Sequence, residues 1–420
     1  MKKYSNVMNT NVTWIPQIPA HWKLQKINAL FTERKKKVSD KDYKPLSVTK
    51  KGILPQLEHA AKSNDSDNRK LVKKGDFVIN SRSDRKGSCG VSRLDGSVSL
   101  INIVLTPSNE LNSKYIHYLL RNYRFSEEYY RNGRGIVADL WTTRYSEMRT
   151  ILLPVPPRAE QDQIVRFLDW KVSEINKLIG IRRKEIKELE KLCWIVIVNA
   201  ISKVKQKNIS EWKRVRVKQI CRMQSGTNLI SQVIGQSGNY PVYGGNGLRG
   251  YYKNYTNDGQ YVIIGRQGAL AGNVHLVEGR FWATDHAIVV YCSKFLIPRY
   301  AYYLFTGMNL NQYAFNAAAQ PGLSVTKILN LQCDVPSVAR QLEIADRLDE
   351  ICIQLEKIVN NTKKKIKLLQ ELKSVIISDV VTGKIDVRNI PVPAYEHVDD
   401  LTADDGEGND GETGIPGEED

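Results

Sequence analysis

The strongest pattern in the chain is a stripe of apolar positions over Glu160–Lys205. Ile164, Leu168, Ile175, Leu178, Ile179, Ile186, Leu189, Leu192 and Val196 recur at steps of three, four and seven, which places them on one face of a helix. Pro156 and Pro157 close the entry, and no proline follows until Pro241, so nothing breaks the helix. At roughly 1.5 Å per residue, some 40 residues form a rod about 60 Å long. Such a stripe needs a partner of similar length. That partner is expected in the same chain, over Arg340–Gly383. Shifted by 180 residues, the first segment aligns with the second without a gap: Pro156 falls on Pro336, Gln161 on Gln341, Ile164 on Ile344, Leu168 on Leu348 and Asp169 on Asp349. Ile351, Leu355, Ile358, Ile366, Leu369 and Leu372 continue the second stripe. The period is far too long for a solenoid and indicates a duplicated domain-plus-rod unit.

The pattern divides the chain into an N-terminal segment with a first domain (1–155), a long-helix spacer (156–206), a second domain (207–335), a second spacer (336–388) and a tail (389–420). The first domain starts near Trp22 in HWKLQKI and the second near Trp212 in EWKRVRV. Inside them the duplication is fainter. DFVINSRSDRKGSCG (Asp76–Gly90) and QYVIIGRQGALAGN (Gln260–Asn273) each read as a strand ending in arginine, Arg82 or Arg266, before a glycine-containing loop. Strands are expected over Ser97–Leu105 and Phe281–Cys292, then short helices with matching aromatics over Lys114–Leu120 and Arg299–Phe305. The fold class is therefore α/β, with mixed α/β domains carrying several short strands. From Pro391 the chain is rich in Pro, Gly and acids and reads as unstructured.

Charge changes the picture. The formal net charge is +17, and Glu396 onward holds eleven acidic residues and no Lys or Arg. The remainder sets 62 basic against 34 acidic residues, a net +28. A body this basic points to a polyanionic partner, most often nucleic acid. The six cysteines are scattered without a CxxC pair, which favours a reducing compartment and no structural zinc. The N-terminus lacks the apolar core of a signal peptide, and no apolar run is long enough to span a membrane, so a soluble cytoplasmic protein is expected.

The chain holds no GxxxxGK[ST], no GxGxxG after a strand, no HExxH and no GxSxG. Glu185-Ile186-Lys187 and Glu371-Leu372-Lys373 match half of a nuclease signature, but they lie on the rods, where a solvated helix face accounts for them. His286 beside Asp285 reads as a strand-end polar pair. No catalytic residue, metal site or bound cofactor is expected.

The loops suit DNA edges. Glycine lets backbone approach a groove, Arg pairs with guanine, and Asn or Gln pairs with adenine. On that basis Arg82, Ser83, Asp84, Lys86 and Arg134 are the candidate contacts of the first domain. Tyr243, Asn246, Arg249, Arg266, Gln267, Asn273, His286 and Gln320 are those of the second. For each residue singly, an ordinary solvated turn is the alternative. Lys35, Lys36, Lys37, Lys73 and Lys74 suit phosphate better than bases. The basic rod positions Arg182, Arg183, Lys184, Lys363, Lys364 and Lys365 fit either phosphate contact or a solvated face.

WIPQIPAHWKL at the start, LPVPPRAEQDQIVRFLD before the first rod, CDVPSVARQLEIADRLD before the second, and YPVYGGNGLRGYY and YVIIGRQGALAGNVH between them resemble the specificity subunit of type I restriction–modification enzymes, over residues 12 to about 388. The resemblance implies two target-recognition domains held apart by two long helices packed as an antiparallel coiled coil, with an internal pseudo-two-fold repeat. It implies readout of a bipartite double-stranded DNA target and a bacterial cytoplasmic setting. It also implies two methyltransferase subunits, which use S-adenosylmethionine, and restriction–translocase subunits, which use ATP and Mg²⁺. The chain itself would supply address and scaffold. The acidic tail departs from the family pattern.

Overall fold

The computed structural model describes residues 2–56, 67–135, 141–202, 211–267, 271–317 and 320–399, with backbone alone at 315–317 and 320–321. Two compact units divide it, one of Met1–Arg183 with Lys363–Asp420 and the other of Lys184–Thr362.

Two helices dominate. The first long helix spans Arg158–Ile201 and the second Val338–Val381, 44 residues each. Starts and ends are both displaced by the 180-residue period of the sequence. Each follows a proline-closed strand, Leu152–Val155 or Gln332–Val335. Past the second helix the chain reverses at Gly383, whose φ of +74° is open to glycine and costly for other residues.

In the first unit the helix segments run antiparallel. The Tyr115 hydroxyl donates to the carbonyl of Pro154, just ahead of the first helix, at 2.9 Å and to that of Val381, at the end of the second, at 3.3 Å. Further up, Lys373 Nζ donates to Asn176 Oδ1 at 3.1 Å. In the second unit Ile197, late in the first helix, shares a buried cluster with Ile344 and Leu348, early in the second.

The interior seats differ in part from the expected stripe. Ile164, Leu168, Ile175, Ile344, Leu348 and Ile366 are buried, and Ile186, Leu189, Ile351, Leu355 and Leu369 are half-buried. Leu178, Leu192, Ile358 and Leu372 are 45–47% exposed and do not pack between the helices. A heptad step drifts about 20° on a straight helix, so positions assigned by sevens slide off the seam. Ile179, Ile197, Val359, Ile376 and Val380 are the buried apolar positions instead, and Ser173, Asn176 and Thr362 are buried with them.

In the first unit, a four-stranded antiparallel sheet orders its strands Cys89–Val91, Phe77–Asn80, Asn102–Pro107, Phe31–Glu33. A three-stranded sheet (Gly96–Val98, Arg69–Val72, Lys37–Val38) lies against it, and Leu46, Val72, Val78, Val98 and Val104 form their shared core. The second unit has one six-stranded sheet: Cys221–Ser225, Ala287–Cys292, Asn257–Gly265, Val274–Ala283, Tyr240–Gly244, Gly247–Tyr252. Its neighbours pair antiparallel except Tyr240–Gly244 with Val274–Ala283. Val262, Ile264, Ile288 and Val290 face the helix Pro298–Gly307, while Ile263, Val289 and Phe281 form a smaller cluster with Tyr243, Tyr261 and Tyr291. The alternation of these residues is what a sheet with two packed faces requires. The strand expected over Phe281–Cys292 is instead the end of one strand and the whole of the next, Val274–Ala283 and Ala287–Cys292, broken at Thr284–His286 and lying on opposite sides of Asn257–Gly265.

Residues 391–399, expected to be unstructured, are irregular but held. Asn176 Nδ2 donates to the Val398 carbonyl at 3.0 Å, and Lys177 pairs with Glu396. Upstream of them, Gln163 Nε2 donates to the Val387 and Ile390 carbonyls at 3.0 and 2.8 Å. Residues 400–420 lie outside the described residues.

Candidate functional site

Each domain is welded to its helix by the same side chains. Gln161, 1% exposed, donates from Nε2 to the Pro156 carbonyl at 3.0 Å and accepts from Asn112 N at 2.8 Å. Gln341, fully buried, repeats this with the Pro336 carbonyl at 3.0 Å and Ile297 N at 3.0 Å. One helical turn pair further on, Asp169 accepts from Lys114 Nζ at 2.7 Å and the Tyr118 hydroxyl at 2.8 Å. Asp349 accepts from Arg299 Nε at 2.9 Å and the Tyr303 hydroxyl. The strand Lys23–Lys26 pairs with Leu152–Val155, and Lys213–Arg216 pairs with Gln332–Val335. Both domains are thus presented from rigid bases, the condition for a loop set to hold a fixed geometry. The sequence had aligned Gln161, Asp169 and their counterparts but gave them no role.

At the loop end of the second unit, four segments converge. Arg266 N donates to the His286 carbonyl at 2.9 Å, Leu323 N donates to the Arg266 carbonyl at 2.8 Å, and Gln267 bridges Gly322. Gly245 lies so close that a Cβ there would stand 3.0 Å from the His286 carbonyl oxygen and 3.5 Å from that of Gln267. Asn246, Gln267 and His286 are exposed there, and Arg266 is half-buried. The exposed Arg249 side chain folds over Gly244 and donates to Ser231 Oγ at 3.4 Å. Asn273 joins by its backbone, its carbonyl accepting from Gly265 N at 2.8 Å. Gln320 is in the adjoining hairpin by its backbone; its side chain lies outside what is described. Tyr243 and Asn246 line a cavity of about 400 Å³ with Gly247, His275 and Tyr302. Burial lowers the His275 pKa, so the neutral ring prevails there.

Two participants had no sequence signal. Thr227 accepts from Trp282 Nε1 at 3.1 Å through its carbonyl, and Thr284 is fully buried with its hydroxyl unpartnered among the described residues. Thr227 N donates to the Ala283 carbonyl and Thr284 N to the Tyr243 carbonyl, so both meet the cluster at the break between Val274–Ala283 and Ala287–Cys292, which the sequence pattern shows as one run.

The first unit closes its loops by the same device. Thr143 N donates to the Ser81 carbonyl at 3.0 Å, as Leu323 N does to Arg266. Ser83 N donates to the Trp141 carbonyl, and Arg82 and Arg134 both bridge Thr142. Arg82, Asp84, Lys86 and Arg134 are therefore exposed on one surface, with Ser83 half-buried in the short turn Ser83–Arg85. Lys86 is paired with Glu127 and lies over the Tyr130 ring, and Arg85 pairs with Asp84. Residues 136–140 lie outside the described residues. Among the described residues, no three His, Cys, Asp or Glu side chains gather as a metal site, and no helix is long and apolar enough to cross a membrane.

Comparison with known proteins agrees with this architecture. Residues 209–368 match the model of the type I restriction modification DNA specificity domain. Over 201 residues, 47% of this chain and 49% of the relative, the chain is 38% identical to the type I restriction enzyme EcoprrI specificity subunit of Escherichia coli. Over 118 residues, 27% of this chain and 30% of the relative, it is 30% identical to a putative type I restriction enzyme specificity subunit of Haemophilus influenzae. The matches thus span about half or less of these relatives' length. A chain from a structural study of complex assembly and conformational transition of the type I R-M system superposes with TM-score 0.65 at 14% identity, covering 88% of this chain and 99% of that one. Over the matched segments the chain is thus similar to type I restriction enzyme specificity subunits, and its fold is that of the superposed chain.

Proposed function

We propose that this chain is the DNA-recognition subunit of a type I restriction–modification assembly. Its two loop ends read the two halves of a bipartite double-stranded target, and its long helices fix the separation between them. The observation that carries this reading is the duplicated base: two different loop sets stand on one conserved junction (Gln161/Asp169 and Gln341/Asp349) at the ends of equal 44-residue helices. Major grooves recur every ~34 Å, so a stiff spacer sets both distance and rotational phase. Exposed Arg, Asn and Gln on glycine-rich turns have the donor and acceptor pattern that reads base edges.

In this reading the chain contributes no bond-making chemistry. Methyltransferase subunits bring S-adenosylmethionine and restriction–translocase subunits bring ATP and Mg²⁺. The helices offer equivalent seats for two methyltransferase subunits. Leu178 and Ile358 occupy the same repeat position and are 46% and 45% exposed; Leu192 and Leu372 are 47% each; Ile195 and Val375 are 38% and 54%. Apolar side chains left in water at matched positions support one docking mode used twice.

Methylated adenines are to be mapped by single-molecule sequencing in cells carrying this chain with its methyltransferase. A bipartite motif that depends on the chain is expected. Arg266→Ala with Gln267→Ala should relax one half of that motif, at about 1–3 kcal/mol per lost bidentate contact, and leave the other half intact. Equal loss in both halves, or no chain-dependent motif, overturns the reading.

A further inference from the structure

Cys193 and Cys352 lie on facing segments of the two long helices within the second unit, with their sulfurs 3.4 Å apart. Both are free thiols and only partly buried. The other sulfurs are placed differently. Cys89 and Cys333 are buried on backbone carbonyls. Cys221 and Cys292 stand opposite each other in paired strands, yet the Cys221 thiol donates to the Val217 carbonyl. Burial pushes both of those thiols up to about 12, which keeps them protonated and inert.

The repeat shows that helix packing does not require this pair. In the first unit the same two positions hold Val172 and Lys373. Lys373 there bonds to Asn176, so the scaffold is built with no sulfur. The thiols are thus an addition to one unit of the duplicated frame. No loop or strand must be crossed to join them, and a disulfide needs a further closure of only about 1.4 Å.

We propose that Cys193 and Cys352 are a redox modification site, at which a low-molecular-weight disulfide converts the two thiols to a reversible cross-link between the long helices of the second unit. The Cys193 thiolate attacks one sulfur of the small disulfide, forming a mixed disulfide and releasing one small thiolate. The Cys352 thiol loses its proton and attacks the Cys193 sulfur, forming the protein disulfide and releasing the second small thiol. Two protein thiols are oxidised and one small disulfide is reduced to two thiols. The hydrogen bond shared by the two sulfurs stabilises a thiolate at this pair, lowering the Cys193 thiol against the opposing effect of burial. The bond joins residues 159 apart in sequence, so it constrains the unfolded chain strongly.

The full chain is to be incubated with oxidised glutathione at neutral pH, alkylated, and examined by intact mass and peptide mapping. Expected are loss of two hydrogens, four alkylated cysteines, a linked peptide pair carrying Cys193 and Cys352, a melting temperature higher by about 5 °C or more, and full reversal by a reducing thiol. Cys352→Val, which installs the residue of the other unit, should instead trap glutathione on Cys193 and lose the thermal shift. Six alkylated cysteines, a Cys221–Cys292 link, or cross-linking only between two copies of the chain would each overturn the proposal.

Discussion

The two units share a base and differ in almost everything built on it. Gln161 and Gln341 bond the same two segments, but the residue before each differs. Glu160, 7% exposed, accepts from the Tyr4 hydroxyl at 2.6 Å and Trp22 Nε1 at 3.0 Å, and contacts His21 Nε2 at 2.7 Å. Its repeat partner is Arg340, which pairs with Glu343 one turn away. In the first unit the N-terminal segment and residues 386–388 also pack beside this carboxylate: Asp386 N donates to the Lys2 carbonyl, and Arg388 lies over the Tyr4 ring. The difference teaches that duplication preserved the weld between domain and helix, where every polar group must be satisfied. The surroundings were free to diverge because one unit also anchors both ends of the described chain.

The comparison can be broken most sharply at that carboxylate. Glu160→Ala leaves the Tyr4 hydroxyl and Trp22 indole without their acceptor in a buried place, and should cost about 4 kcal/mol of local stability in the first unit. Arg340→Ala, which removes the partly exposed pair with Glu343, should cost no more than about 1 kcal/mol. Hydrogen exchange resolved by peptide measures both; equal effects would deny the asymmetry. A smaller and deliberately symmetric effect is expected at the glutamines. Gln161→Ala and Gln341→Ala should each cost about 2–3 kcal/mol, each confined to its own unit. If one were silent, the shared base would not be the common support it is taken to be.

The smallest effect concerns pH and the first unit alone. The Asp386 carboxyl is held below its ordinary 3.8, foremost by the hydrogen bond from Arg388. A depressed folded pKa adds stability that is complete above the unfolded value and lost as pH falls through the folded one. Exchange protection over 384–398 should therefore hold at neutral pH and decline below about pH 3.8, with Asp386→Asn already weakened at neutral pH. A decline shared by the second unit would point to general acid unfolding instead.

Much of this was legible in the residues. The gapless 180-residue shift gave two helices of equal length, and the structure returns them with ends displaced by the same 180. Arg82 and Arg266 were read as strand ends entering loops, and each does follow a strand, Phe77–Asn80 or Asn257–Gly265. Seam assignment was less legible. Leu178 and Leu192 have the same spacing as true seam residues, and only a partner's position tells an inward leucine from an outward one. Thr227 and Thr284 had no local pattern at all, because their neighbours are remote in sequence.

By itself, the sequence determined the period, the helices and the residue chemistry available to the loops, because these depend on local spacing and composition. Tertiary structure decided which apolar faces stay in water, which carboxylate is buried and which two of six cysteines meet. Those outcomes depend on contacts between segments more than a hundred residues apart, such as Tyr4 with Glu160 and Cys193 with Cys352. No periodicity along the chain encodes such a meeting; it exists only once the helices have packed.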